Sequence, residues 1–294
     1  MKKIIRKIAK PIVQTIDNVR YQYECKKLNY IPERQKSSIS DDHAYPAICL
    51  AASRDESVFR NFRRNFIYNR ILEHVSREEG NDYLNVINEN VAFLFTDIDW
   101  EEFCKNDLYG NPRVYSYRIN DRSFNLSPTT LRYVKVLQDL LSIFKMDKIK
   151  SVAEIGIGYA GECRILTSYL QNIKEYSLFD IPETLELAKK YLGKFGNGDK
   201  FQFVDGTKVN VEKEYDLVIS NYAFSELVRD VQDIYMEKVI LKSKAGYITW
   251  NPGASQELGG YSVEELLGII PGSSVVEERP LSGAGNCIIV WGNI

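Results

Sequence analysis

The rhythm of hydrophobic and polar positions changes near residue 150. Beyond that point, short apolar runs rich in β-branched and aromatic residues alternate with amphipathic stretches at helical spacing. The pattern predicts strands at 151–155, 175–179, 201–204, 216–220, 245–250, 274–278 and 286–291, with helices at 161–170, 182–195, 225–241 and 262–269. Regular alternation implies an α/β fold with a parallel, doubly wound sheet. The connection at 207–214 is too short for a full helix. Only 279–285, with two glycines, separates the last two strands, so they are expected to pair as an antiparallel hairpin.

Before residue 150 the pattern is irregular and mainly helical. Phe59, Phe62, Phe66 and Ile67 share one stripe, and 81–95 supplies another apolar segment. Ser127 as an N-cap and Pro128 at the first helical position open the clearest helix of this half. Residues 37–47, KSSISDDHAYP, form a polar break. Ahead of it, Ile4, Ile5, Ile8, Ile12 and Ile16 recur at helical spacing among Lys3, Arg6, Lys7 and Lys10, with Pro11 interrupting. The expected division is a basic amphipathic leader (1–36), a mainly helical cap or substrate region (37–148) and a ligand-binding sheet domain (149–294).

Charge sharpens this division. Residues 1–36 carry ten Lys/Arg and three Asp/Glu, or +7, which leaves −9 on the remainder of a chain whose net charge is −2. No basic patch continues into the sheet domain, which argues against nucleic acid as a partner. The leader fits peripheral contact with an anionic membrane through residues 1–20, or packing on its own protein or a second subunit of a homo-oligomer. No run approaches the ~20 apolar residues of a membrane-spanning helix. Five cysteines without C-x-x-C pairing suit a reducing compartment, so a cytoplasmic protein is expected, peripheral to the inner face of the membrane if the leader binds it.

The chemistry centres on residues 152–161, VAEIGIGYAG, where a strand runs into a glycine turn. Gly156, Gly158 and Gly161 give the spacing G-x-G-x-x-G, which fits a dinucleotide-binding loop. Glu154 argues otherwise. Its carboxylate would repel a pyrophosphate and attract an ammonium or sulfonium group, and S-adenosyl-L-methionine is such a ligand. Asp180-Ile181 follows the second strand, where an acid accepts ribose hydroxyls. Asp205-Gly206 closes the third strand, where an adenine amino group would lie, and Ser220-Asn221-Tyr222 closes the fourth. Ligands of open parallel sheets bind beyond these strand ends.

The segments VAEIGIGYAGECRIL, FDIPETLELAKKYL and DLVISNYAFSEL resemble a bacterial sugar O-methyltransferase family of class I S-adenosylmethionine-dependent enzymes, over residues 115–294. The resemblance implies a seven-stranded Rossmann-like methyltransferase sheet. It also implies methyl transfer to a sugar hydroxyl of lipopolysaccharide, capsule or a related glycoconjugate, with a sugar nucleotide or glycan as acceptor. A neutral hydroxyl needs a base as it attacks. Glu226 is the first candidate, and is equally placed to be a helix N-terminal acid. Tyr222 would shape the methyl pocket or bond the acceptor. Tyr133, Arg132 and Asn251, the last in an Asn251-Pro252-Gly253 loop, are candidates for the acceptor side.

The chain has two histidines, His43 and His74. Either could reach the site from the cap. Asp41-Asp42-His43 reads as a metal corner or a solvated loop, and His74 as a surface residue. Histidine is absent after residue 150, so a metal-independent enzyme is expected. Two rival readings remain: a nicotinamide-dependent sugar oxidoreductase or epimerase, and a non-catalytic cofactor-binding partner in a glycan-assembly complex.

Overall fold

Successive residues of a strand face opposite sides of a sheet, and this chain buries both sides. Val152, Leu178, Leu217 and Ile219 pack in one core cluster, and their neighbours Ala153, Phe179 and Val218 in another. The computed structural model describes residues 19–21, 23, 24, 30, 34–196 and 198–292. The leader's isoleucine pattern at 4–16 lies outside the described residues.

The sheet is built from β3 (Ser151–Ile155), β4 (Glu175–Asp180), β5 (Phe201–Asp205), β6 (Tyr215–Asn221), β7 (Ser243–Trp250), β8 (Ser274–Glu277) and β9 (Cys287–Trp291). The order is β5-β4-β3-β6-β7-β9-β8. The first five pair in parallel, while β9 is antiparallel to both β7 and β8. This is the expected seven-stranded, doubly wound Rossmann-like sheet with a folded-back end. The order reverses beside β3, which opens a crevice at its carboxyl end.

The cap contains α1 (Ala44–Arg54), α2 (Phe66–Ile71), α3 (Arg77–Glu89), α4 (Asp97–Cys104) and α5 (Pro128–Ile143). Ser127 caps α5 through its hydroxyl and Pro128 occupies the first turn. The cap has no separate core. Tyr45, Phe62, Tyr68 and Leu131 belong to the same cluster as Leu178, Ile219 and Tyr247 of the sheet.

Three local details depart from the sequence pattern. A hairpin of β1 (Tyr115–Ile119) and β2 (Arg122–Leu126) interrupts the helical cap. Asn120 and Asp121 turn it at φ 50° and 62°, left-handed values that Asn and Asp tolerate. The predicted helix 225–241 is split into a 3₁₀ turn at Ala223–Glu226 and α8 (Arg229–Tyr235), which runs on into a π turn at Met236–Ile240. The break has a tertiary cause. Residues 37–39 pair with 226–228: the Val228 N–H donates to the Ser37 carbonyl (3.0 Å) and the Ile39 N–H to the Glu226 carbonyl (3.0 Å). Finally, Asn251-Pro252-Gly253 is not a loop. Asn251 caps α9 (Pro252–Glu257) by accepting from the Ala254 N–H. Further helices include α6 (Gly161–Tyr169) and α7 (Pro182–Gly193), which follow the first two strands, and α10 (Val263–Ile269). Among the described residues, no helix is long and apolar enough to cross a membrane.

Candidate functional site

A cavity of about 400 Å³ lies beyond the carboxyl ends of β3, β4 and β6, under the cap. Its floor is the glycine turn. Gly156 and Gly158 take φ 78° and 54°. A Cβ at Gly156 would sit 1.9 Å from the Ala223 Cβ, and one at Gly158 would sit 2.6 Å from Leu72 Cδ1. Both positions therefore need glycine for backbone sign and for space. Gly161 does not line the cavity; its face packs against the Tyr159 ring. That ring is fully buried beside Phe62, Tyr133 and Tyr191, with the Arg63 guanidinium 4.7 Å above it. The cap thus clamps the turn from outside.

Asp180, at the end of β4, accepts from the Gly158 N–H (3.0 Å) and the Ile181 N–H (2.8 Å). Burial pushes its carboxyl up to about 7. Asp180, Ile181 and Gly206 all line the cavity. Asp205 does not. It closes its own turn by accepting from the Thr207 N–H (2.9 Å) and hydroxyl (2.6 Å), the local bonding that aspartate makes readily in turns.

Glu154 is buried in β3, where the Tyr176 hydroxyl donates to it at 2.5 Å. Burial, then the neighbouring Glu162, holds its carboxyl well above the usual range. Glu162, in the first turn of α6, is the residue that sequence reasoning missed. Both its oxygens accept from the Asn221 amide (2.6 and 2.7 Å), and burial pushes it up to about 8. Thr249 in turn donates to Asn221 Oδ1 at 2.8 Å. The available signal was an acid directly after the last glycine of the motif. Two buried carboxylates so near one another suit a cationic ligand group.

The opposite wall carries the acceptor-side candidates. Glu226, at the end of the 3₁₀ turn, lines the cavity, and burial, partly countered by Arg132, pushes its carboxyl up to about 7. Tyr222 holds φ 65°; its hydroxyl donates to the buried Glu278 and lies 3.0 Å from the Ser282 hydroxyl. Tyr133, Arg132 and Asn251 also reach the cavity. Lys135 joins them, paired with Asp139 at 2.5 Å, which also accepts from the Tyr247 hydroxyl.

Both histidines are exposed, as expected of His74, but they differ in their relation to the cavity. His43 is exposed at the start of α1 and does not line the cavity. The metal corner does not form, because Asp41 turns inward to accept from Arg34 and Ser37. His74 instead lines the cavity, where desolvation and the nearby Arg132 charge lower its pKa. Among the described residues, no three His, Cys, Asp or Glu side chains gather as a metal site. Ser37, Ser38 and Ser40 of the former polar break close the cavity as a strap.

No protein-family model matches the chain, and no curated protein matches it. Solved structures resemble part of it. The mitomycin 7-O-methyltransferase MmcR aligns over 57% of this chain and 56% of its own, at 13% identity and a TM-score of 0.42. The pyocyanin biosynthetic protein PhzM aligns over 57% of each chain at 11% identity and a TM-score of 0.40. An O-methyltransferase family protein from Burkholderia thailandensis aligns over 55% of this chain and 58% of its own, at 12% identity and a TM-score of 0.40. The chain thus spans a little over half the length of each. These are similarities at low identity, and the functional reading rests on the residues of the cavity.

Proposed function

We propose that this chain is an S-adenosyl-L-methionine-dependent O-methyltransferase acting on a sugar hydroxyl. The observation that carries the donor is the pair of buried carboxylates, Glu154 and Glu162, directly behind a glycine turn that leaves no room for a Cβ. A cationic ligand group would favour the ionised form of these two acids, whereas the pyrophosphate of a nicotinamide dinucleotide would oppose it. Asp180 and Gly206 would hold the ribose and adenine end, Gly156 and Gly158 the middle, and Glu154 and Glu162 the ammonium. The sugar acceptor is supported by the sequence resemblance over 115–294.

When bound, the donor supplies a methyl group made electrophilic by its sulfonium. The chain's residues have the remaining work of alignment and proton removal. Glu226 takes the hydroxyl proton, since a carboxyl titrating near 7 is half available as a base at neutral pH. Tyr222 is fixed by Glu278 and forms a rigid wall between donor and acceptor sides. The strap and cap border the cavity on its acceptor side.

Calorimetry with S-adenosylhomocysteine and with NAD, followed by label transfer from the methyl-labelled donor to sugar nucleotides and glycans, tests this reading. Binding of NAD in preference to S-adenosylhomocysteine would overturn it. Donor binding with no transfer to any sugar would leave a cofactor-binding partner.

A further inference from the structure

Resting on that reading, we infer that the acceptor carries an acidic group, a carboxylate or a phosphate, and that Arg132 is its receptor. Arg34, Arg63 and Arg164, the other arginines drawn into the interior, each pair with a carboxylate. Arg132 lines the cavity and, among the described residues, forms no ion pair. Its neutral partners are the Leu72 carbonyl, at a long 3.4 Å, and the side chain of Tyr133, whose ring centre lies 5.7 Å away. A guanidinium removed from water without an anion is costly, and its planar fork matches a carboxylate or phosphate with two parallel bonds.

The acids that feel Arg132 from further away are mostly committed elsewhere. Glu73 pairs with Arg63, Glu79 closes the Ser76 cap, and Glu162 is held by Asn221. Among the described residues, Glu226 alone of these acids lacks such a partner, and it is the proposed base. The side chains that share the field of Arg132 also indicate its side of the cavity. Tyr83, Tyr133, Tyr222, His74 and Glu226 are acceptor-side or cap residues, and Glu162 alone belongs to the donor floor. An anionic group on Arg132 would therefore bring a sugar ring alongside Tyr83 and Tyr222, with its hydroxyl near Glu226.

The test uses the full chain saturated with S-adenosylhomocysteine, so that the donor's own carboxylate already occupies its site. Glucuronate and inorganic phosphate are the probes for the two sources of negative charge, and thermal stability is the readout. One or both should raise the melting temperature of the wild type by linkage. Arg132→Gln should abolish that rise while S-adenosylhomocysteine affinity, measured by calorimetry, stays nearly unchanged. Arg132→Lys, which keeps charge but not the fork, should retain a weakened rise. The inference is overturned if neither anion stabilises the complex through Arg132, or if Arg132→Gln loses S-adenosylhomocysteine affinity, which would assign the guanidinium to the donor. Failure of the wild type to bind S-adenosylhomocysteine at all would instead overturn the methyltransferase reading.

Discussion

Glu226 shows how position alone sets a residue's chemistry. Its sequence context also fits a helix N-terminal acid, but the chain leaves helical geometry after it and α8 begins only at Arg229. Burial raises its pKa to about 7, and the base must be ionised. The value of kcat/KM is therefore expected to climb with pH below about 7 and level off above it. Glu226→Gln should remove that limb and lower turnover by about 10²–10⁴, with S-adenosylhomocysteine affinity nearly constant. Near-normal turnover in Glu226→Gln, with loss in His74→Ala, would move the base to the cap. Asp180 offers a second check. It braces Gly158 and Ile181 and lines the cavity. Asp180→Ala should weaken S-adenosylhomocysteine binding by about 1.5–3 kcal/mol, the worth of hydrogen bonds to a charged acceptor. Unchanged affinity would show that the ribose lies elsewhere.

At the scale of elements, the cap supports the glycine turn through a buried ionic cluster. Arg63 pairs with Glu73 (2.6 Å) and Asp107 (2.8 Å) and donates to Ser127 at the start of α5 (3.0 Å). Arg63→Ala would strand both acids without their cation, at a cost of about 3–5 kcal/mol. It should also loosen Tyr159 and with it the floor of the cavity. Equilibrium denaturation measures the first effect and donor calorimetry the second; a variant as stable as the wild type would contradict this role. The strap makes a more local prediction. Ile39→Pro removes the donor to the Glu226 carbonyl, worth about 0.5–1.5 kcal/mol. Hydrogen exchange at the Val228 amide should accelerate, and turnover should fall more than donor affinity. Unaltered exchange would mean the strap is held mainly by Arg34, Asp41 and Glu183.

The whole molecule carries these buried acids as a pH-dependent load. Glu162, Asp180 and Glu226 have folded pKa values of about 8, 7 and 7, above ordinary carboxylate values. The folded state therefore holds more protons than the unfolded chain between about 4 and 8. Their contribution is fully present below the unfolded values and is lost as pH rises through the folded ones. The ligand-free protein should lose stability from pH 5 to pH 8, and Glu162→Gln should flatten that decline. Thermal melts across this range check the sign; a wild type that gains stability throughout would show that other groups dominate.

The sequence by itself determined the sheet domain, its strand sites and the glycine floor. Each depends on local periodicity or on a backbone angle that glycine supplies. The cap hairpin at 115–126 was missed by the helical reading of this half, although Tyr117, Ile119, Phe124 and Leu126 alternate around Asn120-Asp121 and are buried. Only the tertiary structure decided that 225–241 breaks, since pairing with 37–39 replaces helical bonds. It also chose His74 over His43 and turned Asp205 to its own loop. Glu162 was brought to the floor beside Glu154, and among the described residues Arg132 was left without an ion pair. Burial and charge separation arise from segments far apart in the chain. Local patterns carry no record of which distant side chains will meet.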